Sequence, residues 1–128
     1  MRFLLDTHLL LRVAMDSPRL SERARQVVDD EESELSFSAA SIWEVAIKNL
    51  LGRDDFSADP RALRLGLLRA GFVELPIDGE DAAATGDLPA VHRDPFDRLI
   101  LAQARRHGLT LLTSDRTVAS YGNGIELL

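Results

Sequence analysis

Short apolar runs of four or five residues alternate along this chain with longer stretches in which apolar residues recur every three or four positions. The first pattern predicts buried strands and the second predicts helices with one core-facing side. Residues 2–5 form the first strand. The polar trio Asp6-Thr7-His8 then interrupts the apolar run before Leu9, Leu10, Leu11 and Val13 resume it as a helix, so Asp6 falls at a strand's C-terminal end. Ser17-Pro18 breaks the chain, and Ser21 with Glu22 opens a second helix that runs to about Asp30 on Ala24, Val27 and Val28. Residues 34–38 predict a second strand, apolar at Leu35 and Phe37. Over residues 39–51, Ile42, Trp43, Val45, Ala46, Ile47 and Leu50 fall in a helical pattern, with Ser38 or Ser41 as its cap, Gly52 as its stop and Trp43 assigned to the core. Residues 54–59 predict a polar loop. Asp59-Pro60 opens a helix through Ala70 with Leu63, Leu67 and Leu68 inward and Arg61, Arg64 and Arg69 outward, and Gly71 ends it. Residues 72–75 predict a third strand and residues 78–88 a short alanine-rich helix.

The stretch HRDPFDRLILAQA, residues 92–104, organises the rest. Asp94 is a good N-cap, and Pro95 suits the first helical position, where its missing N–H has no intrahelical partner. Phe96, Leu99, Ile100, Ala102, Gln103 and Ala104 give this helix a core-facing side before Arg105, Arg106 and Gly108 end it. Asp97 is left on its first turn, where an acid at the least complements the helix dipole. Residues 110–113 predict a strand leading into Ser114-Asp115, and a turn followed by residues 125–128 closes the chain.

Alternating buried strands and helices predict an α/β fold with a mostly parallel sheet covered on both faces, because parallel strands need crossovers. With 128 residues, 45% hydrophobic and 28% charged, the chain suits a single domain spanning residues 1–128. The absence of cysteine excludes a disulfide framework and a zinc–thiolate site. No hydrophobic run is long enough to span a membrane, and Asp6 and His8 interrupt the apolar start, so the chain is expected to act in the cytoplasm. The net charge of −6 does not exclude a nucleic-acid substrate, since 14 of the 15 basic residues are arginine, the better phosphate fork.

In sheets of this kind ligands bind outside the carboxyl ends of the strands. Asp6, Glu44, Asp97 and Asp115 all stand in that position, each also serviceable as a turn former or dipole partner. Carboxylates crowded at one edge repel unless a cation neutralises them, and hard divalent ions take oxygen ligands. Mg²⁺ or Mn²⁺ therefore suits the set better than zinc. Of the three histidines, His8 and His92 are candidates for supporting positions but also for ordinary loop or core roles, as is His107. The acidic run over residues 29–32 reads as a solvated face.

Four stretches in order, LLDTHLLL, SAASIWEVAIKNLLG, LPAVHRDPFDRLILAQA and GLTLLTSD, span nearly the whole chain and resemble those of a PIN-domain protein of the VapC toxin type. The resemblance implies a PIN-like three-layer α/β/α fold and Mg²⁺-dependent ribonuclease activity, with Mn²⁺ as a substitute. It implies metal-binding, catalytic acids at Asp6, Glu44, Asp97 and Asp115, and hydroxyl neighbours at Thr7 and Thr113. It also implies a homodimer, a cognate VapB-like antitoxin that occupies the active-site groove, and an RNA substrate. Lys48, Arg93 and Arg98 are candidates for contacts to the RNA backbone, and a basic antitoxin side chain is expected near Asp6 and Asp97. The alternative is a catalytically inactive PIN-like module that binds protein or RNA. A phosphoacceptor domain or an aspartate phosphatase is disfavoured, because His8 stands where the latter needs a second acid and Lys48, the only lysine, is mid-helix.

Overall fold

The computed structural model describes residues 1–91 and 93–128, so His92 lies outside the described residues. Strands β1 (Arg2–Leu5), β2 (Glu34–Ser38), β3 (Val73–Leu75), β4 (Thr110–Thr113) and β5 (Ile125–Leu127) form one sheet in the order β3-β2-β1-β4-β5. Every neighbouring pair is parallel. The crossovers are carried by helices α1 (Thr7–Ala14), α2 (Glu22–Asp29), α3 (Ala39–Leu50), α4 (Pro60–Arg69), α5 (Gly79–Ala84), α6 (Pro95–Arg106) and α7 (Arg116–Ala119). The expected α/β/α fold is the one observed.

Alternation along the strands divides the core in two. Phe3 and Leu5 of β1, with Phe37 and Leu112, pack under α1, α2 and α4 through Leu9, Leu10, Val27, Leu63 and Leu67. Leu4 and Leu111 face the other way, onto Leu99, Ile100, Leu101 and Ala104 of α6 and Val118 of α7. Full burial of each such side chain stabilises the fold by about 1.5–3 kcal/mol relative to exposure. The caps follow the sequence: Asp6, Ser21, Ser38, Asp59, Asp78, Asp94 and Asp115 each accept a backbone N–H at the start of a helix.

Several expectations are corrected. The polar loop 54–59 contains a 3-10 turn, Asp54–Phe56, that drops the Phe56 ring into the core. The helix expected over 78–88 stops at Ala84 and tightens into a 3-10 turn, Thr85–Asp87. Asp115 opens α7 rather than a loose turn. Leu68 is exposed, and so is Trp43, which keeps 54% of its surface. The cause lies in α3, which buries Ala40, Ser41, Glu44 and Val45 and thereby leaves Trp43, Ile47 and Leu50 on its outer side. A helix that buries its glutamate in place of its tryptophan is meeting a requirement other than packing.

Candidate active site

Strand order reverses at β1, which has β2 and β3 on one side and β4 and β5 on the other. Crossovers diverge at such a switch point and leave a crevice at the carboxyl ends of the strands. Asp6 stands at that point. Its backbone N–H donates to the Leu112 carbonyl (3.0 Å), prolonging the β1–β4 pairing by one residue. Its side chain is 3% exposed: Oδ1 accepts the Leu9 N–H (3.0 Å) and Oδ2 accepts the Thr113 hydroxyl. The Thr113 hydroxyl in turn accepts the Asp115 N–H (2.9 Å), so one threonine joins the two acids across the crevice. Asp115 Oδ1 caps α7 through the Thr117 N–H (2.8 Å). Burial pushes the Asp6 carboxyl above its ordinary range, the Thr113 and Leu9 donors and His8 oppose that, and the Asp115 charge adds to it.

A second group approaches from α3 and α6. Ser38 ends β2 and caps α3, which carries Glu44 into the interior at 1% exposure. Glu44 Oε2 accepts from the Lys48 ammonium, one turn further along the helix. Glu44 Oε1 has no hydrogen-bond partner, the only buried side-chain nitrogen or oxygen of this kind among the described residues. Lys48 also lies 3.7 Å from Asp94 Oδ2. Asp94 Oδ1 accepts the N–H groups of Phe96 (2.9 Å) and Asp97 (3.1 Å), leaving Asp97 half-buried on the first turn of α6. The Thr7 and Ser41 hydroxyls are hydrogen-bonded at 2.9 Å, tying α1 to α3, and the Trp43 and Phe96 rings pack edge to face at 4.9 Å, tying α3 to α6. The profile of the PIN domain family matches residues 3–123. The chain belongs to the PIN domain family.

Solved structures with the same PIN fold include a toxin–antitoxin complex from Klebsiella pneumoniae, 21% identical over 97% of this chain and 95% of that one, with a TM-score of 0.67. VapBC2 from Rickettsia felis bound to a promoter DNA fragment is 12% identical over 100% and 98%, with a TM-score of 0.69. VapBC-1 from nontypeable Haemophilus influenzae is 18% identical over 100% and 97%, with a TM-score of 0.67. No curated protein matches the chain significantly. PIN domains are generally metal-dependent nucleases.

The donors of this PIN domain are of the kind a hard divalent cation takes. They are carboxylate oxygens, one of them buried without a partner, and the Asp6–Asp115 repulsion is of the sort a cation relieves. Among the described residues, however, no three His, Asp or Glu side chains come close enough together to hold an ion. A threonine hydroxyl and a lysine ammonium partner the acids.

The supporting residues divide. His8 stands beside Phe56 (ring centroids 5.2 Å apart) and 3.6 Å from Asp55, while His107 contacts Asp81 at the far end of α6. Arg93 is exposed just before the Asp94 cap. Arg98, read from the sequence as a candidate RNA-backbone contact, is engaged within the chain: its guanidinium donates to the carbonyls of Pro89 (2.7 Å), Thr85 (2.8 Å) and Leu88 (3.1 Å) and to the Tyr121 hydroxyl (3.1 Å), fastening the loop ahead of α6. Sequence reasoning missed Ser41 as a partner of Thr7, and the Glu44–Lys48–Asp94 chain. The i,i+4 spacing of Glu44 and Lys48 was the available signal for the latter.

Proposed function

We propose that this chain is the toxin of a toxin–antitoxin pair and cleaves RNA phosphodiester bonds by hydrolysis with Mg²⁺, or with Mn²⁺ in its place. Asp6, Glu44, Asp97 and Asp115 hold the ion. The observation that carries the reading is the buried, unpartnered Oε1 of Glu44, beside the separate finding that the Asp115 charge works against ionisation of Asp6. Such an oxygen costs stability, about 1–3 kcal/mol or more for a charged group, unless something binds it. A bound divalent ion supplies a nucleophile at neutral pH and positive charge against the scissile phosphate. The chain's own part is positioning. Leu9 N–H and the Thr113 hydroxyl fix both oxygens of Asp6, Thr113 holds Asp115 beside it, and Asp94 fixes the first turn that presents Asp97. Thr7 fixes α3 through Ser41, and exposed Arg93 is placed to meet the RNA backbone. A cognate VapB-like antitoxin is the expected inhibitor, and a homodimer in the cytoplasm the expected free form. The kinship in fold with the toxin–antitoxin complexes above supports the partner.

The contrary reading, a PIN-like module that binds protein or RNA without turnover, is favoured by one fact: Lys48 and Thr113 already neutralise or hydrogen-bond the acids. Incubating the purified chain with total RNA in Mg²⁺, in Mn²⁺ and in EDTA separates the two. Cleavage that EDTA abolishes and that Glu44→Gln reduces to background supports the nuclease. RNA or antitoxin binding with no cleavage in either metal overturns it.

A further inference from the structure

Lys48 is the only lysine in a chain with fourteen arginines, and it stands between two acids, Glu44 and Asp94. Its side chain is 15% exposed and contacts a glutamate that is 2% exposed, so this is no solvated helix pair. The ammonium is hydrogen-bonded to Glu44 Oε2 and stands 3.7 Å from Asp94 Oδ2. It also lies over two aromatic rings, 4.7 Å from the centroid of Phe56 and 5.7 Å from that of Phe96. Ring faces attract an ammonium independently of any carboxylate. Lys48 thus has partners besides Glu44, namely Asp94 and the two rings, and it leaves Glu44 Oε1 unserved.

We propose that Lys48 is a resident cation of the carboxylate site, neutralising Glu44 in the metal-free protein and withdrawing toward Asp94 and the Phe56 and Phe96 rings when a divalent ion takes Glu44, so that the ion binds in competition with it. The proposal rests on the metal-dependent reading above and names how that site is held ready. A lysine suits the part better than an arginine, because its charge is a compact point on a flexible four-carbon stem, free to move between partners, whereas a guanidinium fork binds a carboxylate in one fixed geometry. The two cations compete for the same oxygens because both bind through charge, and removing one neighbouring unit charge shifts an ionic equilibrium by about tenfold or more. The same pairing lets Glu44 stay buried before the ion arrives, since Lys48 offsets its charge.

Mn²⁺ titration by calorimetry on the wild-type chain, Lys48→Met and Lys48→Arg tests this. Lys48→Met keeps the apolar stem over the rings and removes the charge. It is expected to bind Mn²⁺ about tenfold more tightly than wild type and to gain more in melting temperature from the metal, while melting lower without it. Lys48→Arg is expected to bind no more tightly than wild type. Equal or weaker Mn²⁺ binding by Lys48→Met, with wild type binding normally, overturns the competition and leaves the metal reading standing. Failure of wild type to bind Mn²⁺ at all overturns both. If Lys48→Met does not fold, the wild-type chain decides alone. Acylation of its single lysine side chain, followed by mass spectrometry, is expected to change in rate by severalfold on adding Mn²⁺, and an unchanged rate overturns the proposal.

Discussion

Gln103→Leu probes a buried polar connection that links the far end of α6 to the start of α3. Gln103 is fully buried, its Oε1 accepts the Ser38 hydroxyl, and its Nε2 donates to Asp81 Oδ2 and to the Pro76 carbonyl, both at 3.1 Å. Leucine fills nearly the same volume but leaves the Ser38 hydroxyl without an acceptor and the Pro76 carbonyl without that donor. Asp81 keeps the Asp78 N–H, Arg106 and His107. The orphaned, buried Ser38 hydroxyl costs about 1–3 kcal/mol and the hydrogen bond lost by buried Asp81 about 1 kcal/mol, whereas the carbonyl of exposed Pro76 turns to water; the added apolar burial offsets roughly 1–1.5 kcal/mol. The net expectation is a loss of about 1–2 kcal/mol, or roughly 5 °C in melting temperature for a chain of this size. Urea unfolding followed by circular dichroism, with an unchanged slope, measures it. Gln103→Glu sharpens the test, since it retains the acceptor for Ser38 but sets a second carboxylate against Asp81. It should destabilise at least as much at pH 7 and recover as the pH falls. A loss below about 0.5 kcal/mol in Gln103→Leu, or no recovery in Gln103→Glu, would refute the view that this connection holds α3 in place.

Asp94→Asn and Asp97→Asn should part company. Asparagine caps nearly as well as aspartate, so Asp94→Asn should fold and keep most RNA cleavage, while Asp97→Asn should fold and lose both Mg²⁺ response and cleavage; a Mg²⁺ series with thermal melts as control checks this, and equal loss in two folded variants would place Asp94 in the site. Two buried aspartates should respond to pH in opposite senses. Burial works against the Asp81 carboxylate, but the Asp78 N–H, Gln103, Arg106 and His107 outweigh it and hold its pKa below the ordinary value, so its contribution is present above about pH 4 and is lost as the pH falls through the lower, folded pKa. The melting-temperature gap between wild type and Asp81→Asn should therefore narrow in acid. Asp6 is raised instead, so its contribution is present below about pH 4 and lost as the pH rises through its folded pKa. Asp6→Asn should then melt no lower than the metal-free wild type at pH 7 while losing its response to Mg²⁺, and a clear drop in its melting temperature would contradict that sign.

The strands, the helices and most caps were legible because each rests on local signals, such as the Asp59-Pro60 and Asp94-Pro95 pairs and the short, wholly buried apolar run Phe3, Leu4 and Leu5. Asp6 and Asp115 were legible as residues that follow strands. Trp43 was misplaced because hydrophobicity alone points the wrong side of α3 inward; the helix is turned by the need to bury Glu44 and Ser41, which no period reveals. Phe56 was lost in an acidic loop because a single aromatic residue has no period at all. Gln103 was invisible as a linker, since its partners Ser38, Pro76 and Asp81 are fixed only by the sheet order and the α5–α6 packing. The role of Arg98 in fastening the preceding loop was not legible either, because the carbonyls of Thr85 and Leu88 come to it only through the fold of that loop.

The Thr113 hydroxyl that holds Asp6 comes from a residue 107 positions later in the chain. At a synthesis rate of about 5–20 residues per second, Asp6 waits roughly 5–20 seconds for its partner. A ribosome-bound fragment that ends before β4 has the first acid without the strand that anchors it, the hydroxyl that orients it or the second acid beside it. Residues 7–113 must therefore all be synthesised before the Asp6 carboxylate gains its second partner, and a fragment that ends short of Thr113 leaves Asp6 held by the Leu9 N–H alone.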